Sequence, residues 1–424
     1  MATHGIGAHR AAVQDQEGIM KRKVLAIALA GIAGAPMLAS AQSASVTLYG
    51  RLYPEINFAR MTGPTAPGSG VSTLTGPPTG ESFGTITKLD ASNSRFGLRG
   101  SEYFGNGWAA FFQVEQRVLI DTGNPGNTGI ASRDTYAGLQ SADWGLVRLG
   151  NMDTVYKNLG DSLSFLGVSS GNFVSNSNVL SKQGFGTNSA GSFHLRRGNS
   201  VWYETPQYRG FQALVQYSPD EAKTPSRNAY LVSTGVKYEN GPIYAALAYE
   251  LHNDTFGGSR NVPSALSNVN DLNARSKDTG IRLTGQYRFP LFGGDQIVEG
   301  DVAEIEYKES GGKDGRFQKY RHTTYAIGLD SKWNGPWRTA IAYTAASAGS
   351  CSLFGGVLPC NTSGLDGKQF AVGASYSFSP RTAVFALVAK LWNGHSAQYN
   401  NLDGSDAAVG ADIQQIALGI LHSF

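Results

Sequence analysis

Residues spaced for covalent or metal chemistry are scarce in this 424-residue chain. Gly80-Glu81-Ser82-Phe83-Gly84 has the G-x-S-x-G form of a nucleophile elbow, a turn that needs a strand before it and a helix after it. Here the motif ends a Pro-rich stretch and runs into strand-like sequence, so it reads as a chance match. The histidines beyond residue 41 (His194, His252, His322, His395, His422) sit on different segments without ligand spacing, and no metal site is expected. Asn400 to Asp406 (NNLDGSD) is only loosely similar to a calcium loop and reads as a solvated connection. What remains is electrostatics. Arg51, Arg95, Arg99 and Glu115 share the polar parity of alternating segments, which would put them on one face of a sheet. A wall of fixed charges steers ions without breaking bonds. No catalytic residue or cofactor is expected, and the chain is not read as an enzyme.

The segments that must position these charges have period two. Leu48, Leu52, Ile56 and Phe58 oppose Thr47, Tyr49, Arg51, Tyr53, Glu55 and Asn57. Trp108, Ala110, Phe112 and Val114 oppose Ala109, Phe111, Gln113, Glu115 and Arg117. Similar alternation recurs at 211–217, 281–289 and 369–378. With 54 Gly, 41% hydrophobic and only 16% charged residues, the composition suits an all-β chain with many turns. Short connections (104–107, 142–145, 209–210, 240–241, 291–295, 334–336, 379–380) alternate with long polar ones (61–84, 121–131, 155–197, 219–228, 253–277, 309–320, 347–367, 394–411). Short turns on one side and long loops on the other are the pattern of an outer-membrane barrel, and this parse implies sixteen strands. Aromatics near segment ends (Trp108, Tyr217, Tyr238, Tyr249, Phe289, Trp337, Phe378, Trp392) suit interfacial girdles, although core packing would also place them there. Two stretches read poorly: 134–149, where the direction of Arg148 stays open, and 296–308, whose carboxylates at both parities suggest a bulge, a rim position or a subunit contact.

The amino end sets the compartment. Met20-Lys21-Arg22-Lys23 is a basic region, Val24 to Leu38 an apolar one, and Ala39-Ser40-Ala41 a small-residue cleavage site. Residues 1–41 therefore read as an upstream extension plus a cleaved signal peptide, and 42–424 as the barrel. The apolar run is too short for a membrane-spanning helix. Taking the four basic and two acidic leader residues from totals of 35 and 32 leaves 31 against 30, so nothing points to nucleic acid. Cys351 and Cys360 share one loop, and in an exported chain an even pair reads as a disulfide, with two free thiols as the alternative.

Ser45 to Gly50 (SVTLYG), Ser94 to Glu102 (SRFGLRGSE) and Ile416 to Phe424 (IALGILHSF) resemble, in that order, the general porins of Gram-negative bacteria, especially the beta-proteobacterial branch. The resemblance covers essentially all of 42–424. It implies a 16-stranded antiparallel transmembrane β-barrel in the outer membrane, assembled as a homotrimer among outer-membrane lipid and lipopolysaccharide, with a third loop folded inward to narrow the pore. By position that loop is 155–197, whose apolar residues (Leu159, Leu163, Phe165, Leu166, Phe173, Val179, Phe185, Phe193) suit anchors better than a linker. It implies basic side chains on one wall at the constriction, matched by Arg51 and Arg95, with Arg99 on the same parity. It also implies that the terminal Phe424 is read by the barrel-assembly machinery. Asn151 stands where many relatives carry Arg, and the loop offers one acid, Asp161, beside Lys157 and Lys182. The expected pore passes small hydrophilic solutes by passive diffusion, with little cation preference or a weak preference for anions. The rivals are a substrate-selective channel and an outer-membrane barrel enzyme.

Overall fold

The computed structural model describes residues 44–91, 94–123, 130–160, 172–221, 223–356, 358–403 and 405–424. The expected leader and Asp161, with Leu163, Phe165 and Leu166, lie outside them. The described chain forms one closed antiparallel sheet of sixteen strands. β1 runs in two pieces, Ala44–Leu52 and Glu55–Thr62, as does β2, Phe83–Asp90 and Arg95–Gly105. Then follow β3 (Trp108–Arg117), β4 (Thr135–Ser141), β5 (Gly145–Asp153), β6 (Arg196–Glu204), β7 (Phe211–Pro219), β8 (Tyr230–Asn240) and β9 (Ile243–Asn253). β10 (Arg275–Leu291), β11 (Gly294–Ser310) and β12 (Phe317–Lys332) are the longest. β13 is again split (Trp337–Ala346, Ser350–Leu353), and β14 (Gly367–Ser377), β15 (Thr382–Asn393) and β16 (Asp412–Ser423) complete the barrel.

Closure runs through β1 and β16, with Thr62 opposite Asp412 and Arg51 opposite Ser423. The backbone groups of Gly50 and Phe424 exchange hydrogen bonds of 3.1 Å in both directions. An unpaired sheet edge has no partner in hydrocarbon, so this seam is what makes the sheet compatible with a membrane. The Phe424 ring lies over Gly50, where a Cβ would come within 2.1 Å of it. Glycine in the LYG motif is thus explained by the last residue of the chain.

The interruptions in β1 and β2 face each other. Pro54 has no N–H for the ladder, and the Ser94 hydroxyl accepts from the Tyr53 N–H at 2.8 Å in its place. Along β1 the exposed side chains are Val46, Leu48, Ile56 and Phe58, while Tyr53, Glu55 and Asn57 are buried within the barrel. The seven short turns and eight longer connections fall where the alternation places them. The sixth connection, however, shrinks to 311–316 because β11 and β12 extend past the expected limits. The 296–308 stretch holds no bulge: β11 pairs continuously with both neighbours. Glu299 and Asp301 point inward and are buried, and Glu304 and Glu306 point outward near the loop end.

Loop 155–197 carries short regular pieces where irregular chain was expected. α1 (Val155–Leu159) is capped by Thr154, whose hydroxyl accepts from the Lys157 N–H at 3.3 Å. α2 (Ser177–Leu180) and a 3-10 turn (Ser189–Gly191) follow. Leu159, Phe173, Val179, Phe185 and Phe193 are all buried. Each contributes about 1.5–3 kcal/mol by leaving water, which is why a glycine- and serine-rich segment holds a fixed course.

Candidate functional site

Register brings three arginines into one rung. Arg51 on β1 lies directly opposite Arg95 on β2, which lies opposite Arg117 on β3. Directly opposed residues share a face, and like charges there repel. The row persists because Glu115, one step along β3 on the same face, sits beside it. Its carboxylate is 3.5 Å from Arg95 Nε and 2.5 Å from Arg133 Nε, and accepts from the Tyr49 hydroxyl at 3.1 Å. Arg117 reaches Asp403 in the last loop at 3.7 Å. Arg51 packs over the Tyr53 ring at 5.3 Å, and its Nε and one terminal nitrogen have no hydrogen-bond partner among the described residues. Arg51, Arg95 and Glu115 are thus brought together. Arg99 is not in that rung. It lies two rungs nearer the turn side, stacked over Tyr49 at 5.1 Å, and touches the group only through that ring.

Beside the row is a second set that sequence reasoning missed. Arg196 Nε is 2.5 Å from Asp134, and its terminal nitrogen is 2.7 Å from Asp153, which also holds Lys157 at 2.9 Å. Arg133 and Asp134 belong to the chain entering β4, outside any alternating run, so parity gave no signal for them. Asn151, the departure from the family ladder, donates to the Arg133 carbonyl at 2.9 Å. A neighbouring arginine is therefore fixed where the strand itself lacks one. Arg148 points inward: it lies between Tyr136 (4.7 Å) and Trp202 (4.3 Å) and reaches Glu204 at 3.7 Å.

Across the barrel the polar groups hold the loop. Arg282 on β10 is fully buried, stacks on Tyr156 at 4.3 Å and donates to the Tyr156 carbonyl. Tyr244 donates to the Leu159 carbonyl at 2.6 Å. A Cβ on Gly160 would meet Arg282 Nε at 2.0 Å, so a side chain where α1 ends would have to push the Arg282 guanidinium aside. Beyond the undescribed residues, Asn172 donates to Glu55 (3.2 Å), Thr324 to the Leu180 carbonyl (2.8 Å), Thr344 to Asn176 (2.7 Å) and Gln369 to the Ser175 carbonyl (3.0 Å). All four wall residues point inward, so both described ends of the loop rest on the inside of the barrel. Lys182 lines a cavity of about 280 Å³ with Asn172, His194 and Asn401. Burial holds its ammonium below the ordinary lysine range.

A closed sixteen-strand barrel with a charged interior and an apolar exterior narrows the identity to a channel of the outer membrane. A profile of the Gram-negative porins matches residues 26–396. The chain belongs to that family. An outer membrane porin protein of Bordetella pertussis is 28% identical across 96% of this porin and 100% of its own length. Outer membrane porin protein 32 of Delftia acidovorans is 26% identical with the same coverage. Among solved structures, the anion-selective porin from Comamonas acidovorans superimposes with a TM-score of 0.65 at 21% identity, covering 90% of this porin and 100% of that chain. The trimer form of OmpT from Vibrio cholerae gives 0.57 at 15% identity, with coverage of 90% and 100%. The porin is an outer-membrane protein that forms a water-filled pore for passive diffusion.

Two features lie away from the charged row. Cys351 is on the second piece of β13, not in the loop, and its sulfur is joined to that of Cys360, with Cα atoms 5.6 Å apart. Phe424 ends the closing strand, as described above.

Proposed function

We propose that this porin passes small hydrophilic solutes and ions with a weak preference for anions, set by the wall of β1–β3. The observation that carries the reading is the Arg51–Arg95–Arg117 rung, in which Glu115 lies beside Arg95 and Asp403 beside Arg117. With Arg133 also on Glu115, the immediate cluster carries excess positive charge, and the potential of such a wall raises the local concentration of anions. Arg51, Arg95 and Glu115 are assigned to the constriction, with Arg99 as an approach charge on the turn side. The loop 155–197, resting on the inner wall, is the element that narrows the passage. Assembly as a homotrimer is part of the same reading, supported by family membership. The Cys351–Cys360 bridge ties the seventh loop to its strand, and Phe424 is the recognition element for assembly.

Reconstitution into a planar bilayer under a salt gradient tests this. The expected result is stepwise conductance, linear in solute concentration, with a reversal potential of anionic sign that shrinks at high salt as charges are screened. Absence of steps overturns the pore, and a cationic sign overturns the assigned filter. Saturable conductance blocked by one solute would favour the substrate-selective alternative.

A further inference from the structure

Across the barrel from β1–β3, the inner wall carries a recess of about 400 Å³ between α1 and the turn-side mouth. Recesses of that order accommodate small solutes. In strand order its charged side chains are Arg148 on β5, Glu204 on β6, Lys237 and Glu239 on β8, Arg288 on β10 and Asp330 on β12. The sign changes at every step. Arg338 on β13 ends the series and grips Asp330 at 2.6 and 3.0 Å. The Arg51–Arg95–Arg117 rung, in contrast, sets cations directly opposite one another. Alternating charges largely cancel at a distance, so this wall concentrates neither sign of simple ion. It offers both signs at once to a solute that carries both.

The middle of the series is the open part. Arg148 stands 3.7 Å from Glu204 and Arg288 3.8 Å from Glu239, both longer than a hydrogen bond. Lys237 makes no ion pair among the described residues, so its ammonium and the Glu239 carboxylate stand apart. The two residues are two positions apart on one strand, which points both inward with Cα atoms roughly 7 Å from each other. Trp202, Leu214 and Tyr244 line the same recess and give it an apolar surface between the charges.

We infer that this recess binds small zwitterions in which a short methylene chain joins an ammonium to a carboxylate. The carboxylate accepts from Lys237, and the ammonium donates to Glu239. Three methylenes hold the two charged ends about 5 Å apart by ordinary bond lengths, which suits the gap between the two side chains. The methylenes lie on the apolar lining. A simple anion or cation satisfies one partner and is opposed by the other. The inference rests on the pore proposed above, since only a solute in the lumen reaches the recess.

The test is block of single-channel current by 4-aminobutyrate in a planar bilayer holding the full-length porin. Butyrate and butylammonium, each with one of its two charges, serve as controls at matched ionic strength. 4-Aminobutyrate should lower the conductance saturably. 5-Aminovalerate, one methylene longer, should do the same, because the recess reads a pair of charges and not one solute. Neither singly charged control should saturate. Lys237→Gln/Glu239→Gln removes both partners and leaves the net charge unchanged. Half-block should then need roughly tenfold more zwitterion, the worth of one hydrogen bond to a charged group. Asp143→Asn/Arg381→Gln, an equally neutral change on exposed turns, should keep the wild-type half-block. Equal block by butyrate or butylammonium overturns the inference, as does a wild-type half-block in the Lys237/Glu239 variant. Normal steps in salt with no zwitterion block overturn the site and leave the pore standing. Absence of steps in salt alone overturns both.

Discussion

The wall of β3–β5 and the wall of β10–β12 are built on the same alternation and put it to different uses. The first has strands of 10, 7 and 9 residues, and the second strands of 17, 17 and 16. On the short wall and the adjoining β1 and β2, exposed Leu48, Phe96, Leu98, Phe112 and Leu139 form an apolar exterior. The interior charges there are mostly partly exposed and stand in pairs with excess base. On the tall wall the interior charges are buried and engaged. Arg282 holds α1, Thr284 donates to Asp301 at 2.5 Å and Gln286 to Glu299 at 2.6 Å. Higher up, Asp278 accepts from the Gly257 N–H at 2.8 Å, and Glu309 from the Ser259 hydroxyl at 2.7 Å. A charge committed to positioning backbone is screened from the lumen, and one facing water is available to ions. On the proposed reading, an inward loop poor in carboxylates leaves selectivity to the wall of β1–β3.

The contrast is most easily broken at the loop anchor. Gly160→Val, which drives a branched side chain into Arg282, should displace α1, and single-channel conductance should rise or become noisy. An unchanged, quiet channel would show that the contact does not hold the loop. Next in size is Arg51→Glu/Arg95→Glu, which replaces two positive charges beside Glu115 with negative ones. Selectivity should invert to cations, read as a change of sign in reversal potential.

Smaller still is Cys351→Ser. Closing a short loop is worth on the order of 2 kcal/mol, so the seventh loop should become more sensitive to protease while selectivity stays fixed. Alkylation without reduction should leave the mass of the wild-type chain unchanged. The smallest effect concerns Lys182. Its depressed value means that charge is lost at a lower pH than for an ordinary lysine. Raising the pH through that range should therefore reduce anion preference slightly, and Lys182→Met should abolish the dependence.

Much of this contrast was legible in the sequence. The alternation of short turns and long loops gave the count of sixteen strands, and period two marked most of them, because each strand meets lipid outside and water inside. Parity put Arg51, Arg95 and Glu115 on the inward face, and the resemblance singled out Arg51 and Arg95. Parity assigns a face and not a height, which is why Arg99 was grouped with residues two rungs away. Arg133, Asp134 and Arg196 were invisible because they come from loop ends, and only the fold brings them beside β3. The charges of 296–308 left a bulge, a rim position or a subunit contact open, since a period-two reading expects one lipid-facing parity to be apolar throughout; the rim position holds for Glu304 and Glu306. In a strand of 17 residues the upper part rises past the hydrocarbon, and both parities can be charged. Gly50 and Phe424 are separated by nearly the whole chain, so the reason for that glycine appears only when the barrel closes.

The central claim is that the wall of β1–β3 dominates the filter. It is tested most directly by comparing the reversal potentials of Arg95→Glu and Lys308→Glu with wild type in one salt gradient. Both variants change the chain by the same charge, one inside the wall of β1–β3 and one outside the tall wall. The account predicts a clear shift toward cations for Arg95→Glu and none for Lys308→Glu. Equal shifts in both, or no shift in either, would contradict it.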